Sequence, residues 1–248
     1  MRNKNRFITS PKVGQSSGKK TDFVSIILFS ENHGYRMKSY GPTPLIEIEG
    51  KSLIERQIDS IKATFSNFEI ILCSGFETEK TVTFIQEKFG DINIRVVENQ
   101  VHYNSNCCES ARLCINNTMN NKIIFCGGGV LITPEYLNAI DLNTSMIICQ
   151  SQNDDSNFEV GVVHNNGCLE GLSIGVKNQY WTELLYLANK KMIKLLYSIL
   201  SNPEYKNRFI FEAINELPNK YSIVVKNNSK KPIIKVNSIK TLKRITNA

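Results

Sequence analysis

The sequence predicts an α/β protein: a Rossmann-like, mixed but mostly parallel sheet with helices on both faces. Two patterns predict it. Short apolar runs at residues 23–29, 69–73 and 122–126 have no polar face, as strands do when a parallel sheet buries them on both sides. Through the first 150 residues these runs alternate with segments of helical spacing, the pattern of a sheet with right-handed crossovers. A chain of 248 residues is also long enough to bury a sizeable core without disulfide or metal staples.

Each element follows from its own residues. The run FVSIILF at 23–29 is the first strand, and a polar loop with Gly34, Gly41, Pro42 and Pro44 follows it. Leu53, Ile54, Ile58 and Ile61 recur at helical spacing, with Ser52 placed as the N-cap. Residues 69–73 are the second strand, and Val82, Ile85 and Phe89 share one face of a helix over 78–89. A third strand is expected at 92–97, a helix at 107–115 and a fourth strand at 122–126. Pro134 opens another helix, because a first-turn position has no use for the missing N–H. Residues 146–149 are the fifth strand. Beyond residue 150 the pattern loosens. Strands at 158–164 and 168–176 flank a turn at 164–167, and helices follow at 188–200 and 209–217. Short strands at 221–226 and 233–236 precede a terminal helix at 238–245. There is no internal repeat.

The formal net charge is +7, but its distribution matters more. Residues 1–21 hold six basic side chains and residues 221–248 hold seven, neither with an acid; all 23 acids face the other 17 bases in between. Basic ends on an acidic body read first as solubilising segments rather than the basic face of a nucleic-acid binder; a weak contact of a tail with phosphate or nucleic acid stays open. No apolar run approaches the roughly 20 residues of a membrane span, and the polar N-terminus has no secretory h-region. The seven cysteines are odd in number and lack any C-x-x-C spacing, so reduced thiols and a cytoplasmic location are expected.

Ligands of open α/β sheets sit outside the carboxyl ends of the strands. The loops at 30–44 and 127–133 are therefore where chemistry is expected. The first carries IILFSENHGYRM at 26–37 and PTPLIEIEGKSLIE at 42–55; the second carries GGGV at 127–130. Between them lies NSNCCES at 104–110, and near the end VNSIKTL at 236–242. In this order the five segments, spanning about residues 23–246, resemble the nucleotidyltransferases that make sugar-nucleotides and CDP-alcohols. The nearest branch is phosphocholine cytidylyltransferase-like. The family pattern is L-A-A-G-x-G-x-R, then P-K-P-L and G-K-(P/S)-L, an Asn-rich loop before a helix, G-D-V after strand four, and (I/V)-D-T-x-x-D-L.

The resemblance implies attack of an acceptor phosphate on the α-phosphorus of a nucleoside triphosphate, CTP first among them, with release of pyrophosphate. It implies that Phe29, Ser30, Asn32, His33, Gly34, Tyr35 and Arg36 meet the nucleotide, joined by Asn106, Ser110, Gly127 and Gly128. The family's Mg²⁺ would lie at Gly129 and Asn237. A small phosphorylated acceptor, a phospho-alcohol or sugar phosphate, would lie near Tyr180, Trp181 and Glu183, where Tyr180, Trp181 and Tyr186 could form a cation–π cage or pack in the core.

The departures from the pattern fall on its charges. Arg36 is retained as a catalytic candidate. The lysine of P-K-P-L is Thr43, the metal aspartate of G-D is Gly129, and the C-terminal aspartate is Asn237, a milder change because some uridylyltransferases of this fold use Asn. Glu31 and Asn32 stand where a glycine turn should face phosphates. Asp154 and Asp155 are either a substitute metal ligand or a solvated loop. Asn106 and Ser110 either contact nucleotide or simply cap a helix, His33 either contacts ligand or is solvated, and His102 and His164 read as structural or solvated. The expected organisation is a basic arm at 1–21 and one domain at 22–248, its nucleotide half ending at 150 and its acceptor half beginning at 151; a homodimer is open. Two functions also stay open: a divergent nucleotidyltransferase, and a catalytically inactive binding protein on the same fold. A glycosyltransferase of related type would need an acidic D-x-D where Gly127–Gly129 stands.

Overall fold

The computed structural model describes residues 19–32, 36–151, 157–228 and 232–246. The first strand, β1 (Val24–Phe29), is buried along nearly its whole length. A small hairpin, β2 (Glu47–Ile48) and β3 (Lys51–Ser52), leads into α1 (Leu53–Thr64). A reciprocal capping box fixes the start of α1: the Ser52 hydroxyl accepts from the Glu55 N–H, and the Glu55 carboxylate accepts from the Ser52 N–H at 2.8 Å. Then come β4 (Phe68–Ser74), α2 (Thr78–Lys88), β5 (Ile94–Glu98), α3 (Cys107–Ile115) and β6 (Ile123–Gly127). A short α4 (Pro134–Asn138) and β7 (Met146–Ser151) follow.

Four of these strands, β5, β4, β1 and β6, lie parallel in that spatial order. The rest of the sheet is mixed. The strands β8 (Val160–Asn165) and β9 (Cys168–Ile174) form a hairpin, and β10 (Gln179–Leu187) runs antiparallel between β6 and β7. After α5 (Lys190–Leu200) and α6 (Ile210–Ile214), β11 (Val224–Asn227) pairs parallel with β7, and α7 (Ile239–Thr246) closes the described chain. The nine-stranded order is β5-β4-β1-β6-β10-β7-β11-β9-β8.

Two apolar layers sandwich this sheet. One packs Ile54, Ile58 and Ile61 of α1 and Tyr136 and Leu137 of α4 onto Ile26, Leu28 and Ile124. The other packs Ala111 of α3, Leu196 of α5 and Ile214 of α6 onto Ile27, Phe125 and Leu185. Both layers draw residues from either side of residue 150.

Several expectations need correction. No strand is expected at 179–187, yet β10 is central in the sheet. The expected strand at 233–236 is only an antiparallel bridge from Lys235 to Val130. The expected helix at 209–217 is reduced to α6. Of the expected arm at 1–21, residues 1–18 lie outside the described residues. Lys20 already bridges to Phe65, and its ammonium donates to the carbonyls of Leu137 at 3.1 Å and Asn138 at 3.2 Å and to that of Ile140.

Candidate functional site

A cavity of about 430 Å³ opens at the carboxyl ends of β1 and β6. Its floor is backbone. The Gly128 N–H donates to Phe29 O at 2.8 Å, tying the turn after β6 to the end of β1. A Cβ on Gly128 would collide with Phe29 O and Ser30 Oγ, so only glycine allows this approach. From below, the Gln57 amide donates to Gly128 O at 3.0 Å and Val130 O at 2.9 Å.

One wall comes from β10. Its pairing with β7 slips between Trp181 and Leu184, and Glu183 adopts a left-handed φ of 61° there. Such a bulge re-aims a side chain, and here it turns Glu183 into the cavity over Gly127. Trp181 and Leu184 lie in opposite core layers, and the alternation of odd and even residues continues across the bulge. Trp181 reaches the cavity with its indole N–H donating to Leu184 O at 2.8 Å. The Lys235 ammonium forms an ion pair with Glu183 from the facing C-terminal segment. That segment is fastened to the turn by Val236 N–H to Gly129 O at 2.7 Å and Leu131 N–H to Ile234 O at 2.9 Å.

Charge in the cavity is unusual. Glu31 lines it but is only 4% exposed. Burial pushes its carboxyl above the usual range, against hydrogen bonds from its own backbone and the Ser110 hydroxyl, and Glu183 adds to the rise. Burial would by itself lower Lys235, but the Glu183 carboxylate outweighs it and holds the ammonium above its ordinary value.

The cavity brings together Phe29, Asn32, Thr43, Asn106, Gly127, Gly128, Gly129, Trp181, Glu183 and Asn237. Ser30 and Ser110 lie behind its wall. Ser110 Oγ accepts from Asn99 at 3.0 Å, and Ser30 Oγ is buried with no hydrogen-bond partner among the described residues. Arg36 is exposed at a φ of 57° and is not among the lining residues. His33, Gly34 and Tyr35 lie outside the described residues, as do Asp154 and Asp155.

The cage does not form. Tyr180 and Tyr186 belong to the core layer opposite Trp181, and Tyr186 is wholly buried with its hydroxyl donating to Leu142 O at 2.9 Å. Thr43 is turned inward, donating to Asn32 O at 2.8 Å. Asn106 caps α3, its side chain accepting from Cys107 N–H at 2.8 Å, while also facing the cavity. His102 Nδ1 lies 3.2 Å from Asn99 O and His164 Nε2 lies 3.1 Å from Gln179 Oε1. Sequence reasoning missed Lys235, Glu159, Cys107, the exposed Phe209 and the half-buried Phe211, all of which line the cavity.

Solved structures share this architecture. A CTP:phosphocholine cytidylyltransferase from Streptococcus pneumoniae superposes with a TM-score of 0.71 at 15% identity, covering 90% of this chain and 98% of that one. An inositol-1-phosphate CTP transferase from T. maritima gives 0.72 at 14% identity, covering 89% and 95%. A nucleoside-diphosphate-sugar pyrophosphorylase from Vibrio cholerae RC9 gives 0.69 at 14%, covering 90% and 100%. The chain has the nucleotidyltransferase fold. No family model matches the sequence, and no curated protein matches it by sequence.

On a nucleotidyltransferase fold the expected Mg²⁺ would rest on carboxylates at positions 129 and 237. The residues present do not fit it. Gly129 has no carboxylate, and a Cβ there would stand 2.9 Å from the Val236 carbonyl, too close for a side chain to begin. Asn237 is neutral. Among the described residues no three His, Cys, Asp or Glu side chains converge as a metal cluster.

Proposed function

We propose that this protein binds a nucleoside triphosphate, CTP in the first instance, together with a small phosphorylated molecule, and does not carry out the Mg²⁺-dependent transfer of this fold. The carrying observation is Gly129, whose missing carboxylate is compounded by the Val236 carbonyl occupying its space. Supporting it, Thr43 cannot supply the charge of a lysine, and its hydroxyl is already engaged by Asn32. The binding half of the reading rests on the shape of the cavity. A tight glycine floor and the amino end of α3 favour an anion on one side. Trp181, Phe209 and Phe211 offer apolar surface on the other. All seven cysteines are unpaired thiols, which suits a reducing compartment, so the reading includes a cytoplasmic location.

A second reading is retained activity: an acceptor phosphate oxygen attacks the α-phosphorus while the bond to pyrophosphate breaks. The continuity of the cavity, with Asn106, Lys235 and Asn237 still facing it, favours this alternative. Pyrophosphate release with CTP, UTP, GTP and ATP against phosphocholine, inositol phosphate and sugar phosphates separates the two. The expected result is binding by calorimetry without turnover. Turnover in Mg²⁺ abolished by Arg36→Ala would establish the second reading instead.

A further inference from the structure

Among the described residues, the one cation that lines the cavity is Lys235. Its segment runs antiparallel to the turn after β6. Its Cγ lies 3.9 Å from the point where a Gly129 side chain would begin. The stem therefore passes the position that the missing aspartate would occupy, and Asn237 is two residues further on. The ammonium is not loose: Glu183, held in its left-handed bulge, pairs with it over Gly127. A left-handed glutamate within a strand is strained, which marks this placement as one that the surrounding structure enforces. A partly buried ammonium is also a good donor to phosphate oxygens, because reduced access of water strengthens charge-assisted hydrogen bonds.

We infer that Lys235, steadied by Glu183, is the built-in cation of this site and binds the phosphate groups of the nucleotide without a divalent metal. The inference rests on the nucleotide-binding reading above and adds who neutralises the phosphates. Glu183 would then act as a positioning residue that keeps the ammonium over the glycine turn. The ligand chemistry is a di- or triphosphate chain, carried either by a nucleotide or by pyrophosphate.

Calorimetry with CTP, UTP and inorganic pyrophosphate, each in Mg²⁺ and in EDTA, tests it on the full chain. The wild type is expected to bind at least one of the three with a Kd that differs by no more than about twofold between Mg²⁺ and EDTA. Lys235→Met is expected to weaken that binding roughly tenfold or more in both buffers, and Lys235→Arg to retain most of it. The double variant Lys235→Met/Glu183→Gln leaves no buried charge unpaired and serves as the control for folding, checked by its thermal melt. It too should bind weakly. The inference is overturned if the wild type needs Mg²⁺ to bind, or if the folded double variant binds as well as the wild type. In either case the nucleotide-binding reading survives. Failure of the wild type to bind any of the three in either buffer overturns both. CTP and UTP binding with no response to pyrophosphate assigns the site to nucleotides, and the reverse result removes the nucleotide reading.

Discussion

Gly129 and Glu31 set the chemistry that this cavity can do. At Gly129 the obstacle is space as well as charge. Gly129→Asp is therefore expected to gain no Mg²⁺-dependent pyrophosphate release, and to lower the melting temperature as its side chain pushes the Val236 carbonyl away. Pyrophosphate assay and a thermal scan of the same preparation check both halves. Glu31 makes a pH-dependent case. Its carboxyl is raised by burial from an ordinary value near 4.5. A raised acid stabilises the fold fully below its unfolded value, and that contribution is lost as pH rises through the folded one. Glu31→Gln should thus change the melting temperature little at about pH 4 and raise it above wild type at about pH 8. Much at this scale was legible. Thr43, Gly129 and Asn237 could be read against fixed motif positions, and all three face the cavity. Lys235 could not, because its reach depends on a bridge to Val130 that lies 105 residues away in the chain.

Among elements, α1 was readable and β10 was not, for physical reasons. The start of α1 is local: Ser52 and Glu55 satisfy each other's backbone within one turn. Burial would raise Glu55, but the Lys88 ammonium and the Ser52 N–H and hydroxyl bring it down to about 2. The stability this gives is present above the unfolded value near 4.5 and is lost as pH falls through about 2. Ser52→Ala should cost about 1 kcal/mol in urea unfolding near neutral pH, and less in acid, where the Glu55 contribution is already gone. In β10, by contrast, both faces are buried and Thr182 and Glu183 interrupt the apolar residues at the bulge, so the sequence shows neither polar alternation nor an uninterrupted apolar run. Its central place predicts a large effect when it is truncated. Leu185→Ala, wholly buried between β6 and β7, should cost roughly 2–5 kcal/mol by the same unfolding measurement.

Across the whole molecule, Lys20 and the cavity lie at opposite ends of the parallel strands. Lys20 meets Phe65 and the end of α4, beside the amino ends of the parallel strands. The cavity lies at their carboxyl ends. Removing residues 1–18 should therefore leave ligand affinity unchanged within about twofold in the calorimeter. The alternating α/β order, and hence the fold, was visible in the apolar runs; the antiparallel insertion that completes the cavity was not. A crystal soaked with CTP and MnCl₂ addresses the function most directly, with anomalous scattering to report the metal. The expected result is a triphosphate over Gly127–Gly129, with a phosphate oxygen within about 3 Å of Lys235 Nζ and no manganese peak in the cavity. A manganese ion bridging the phosphates to carboxylates of the chain would contradict it.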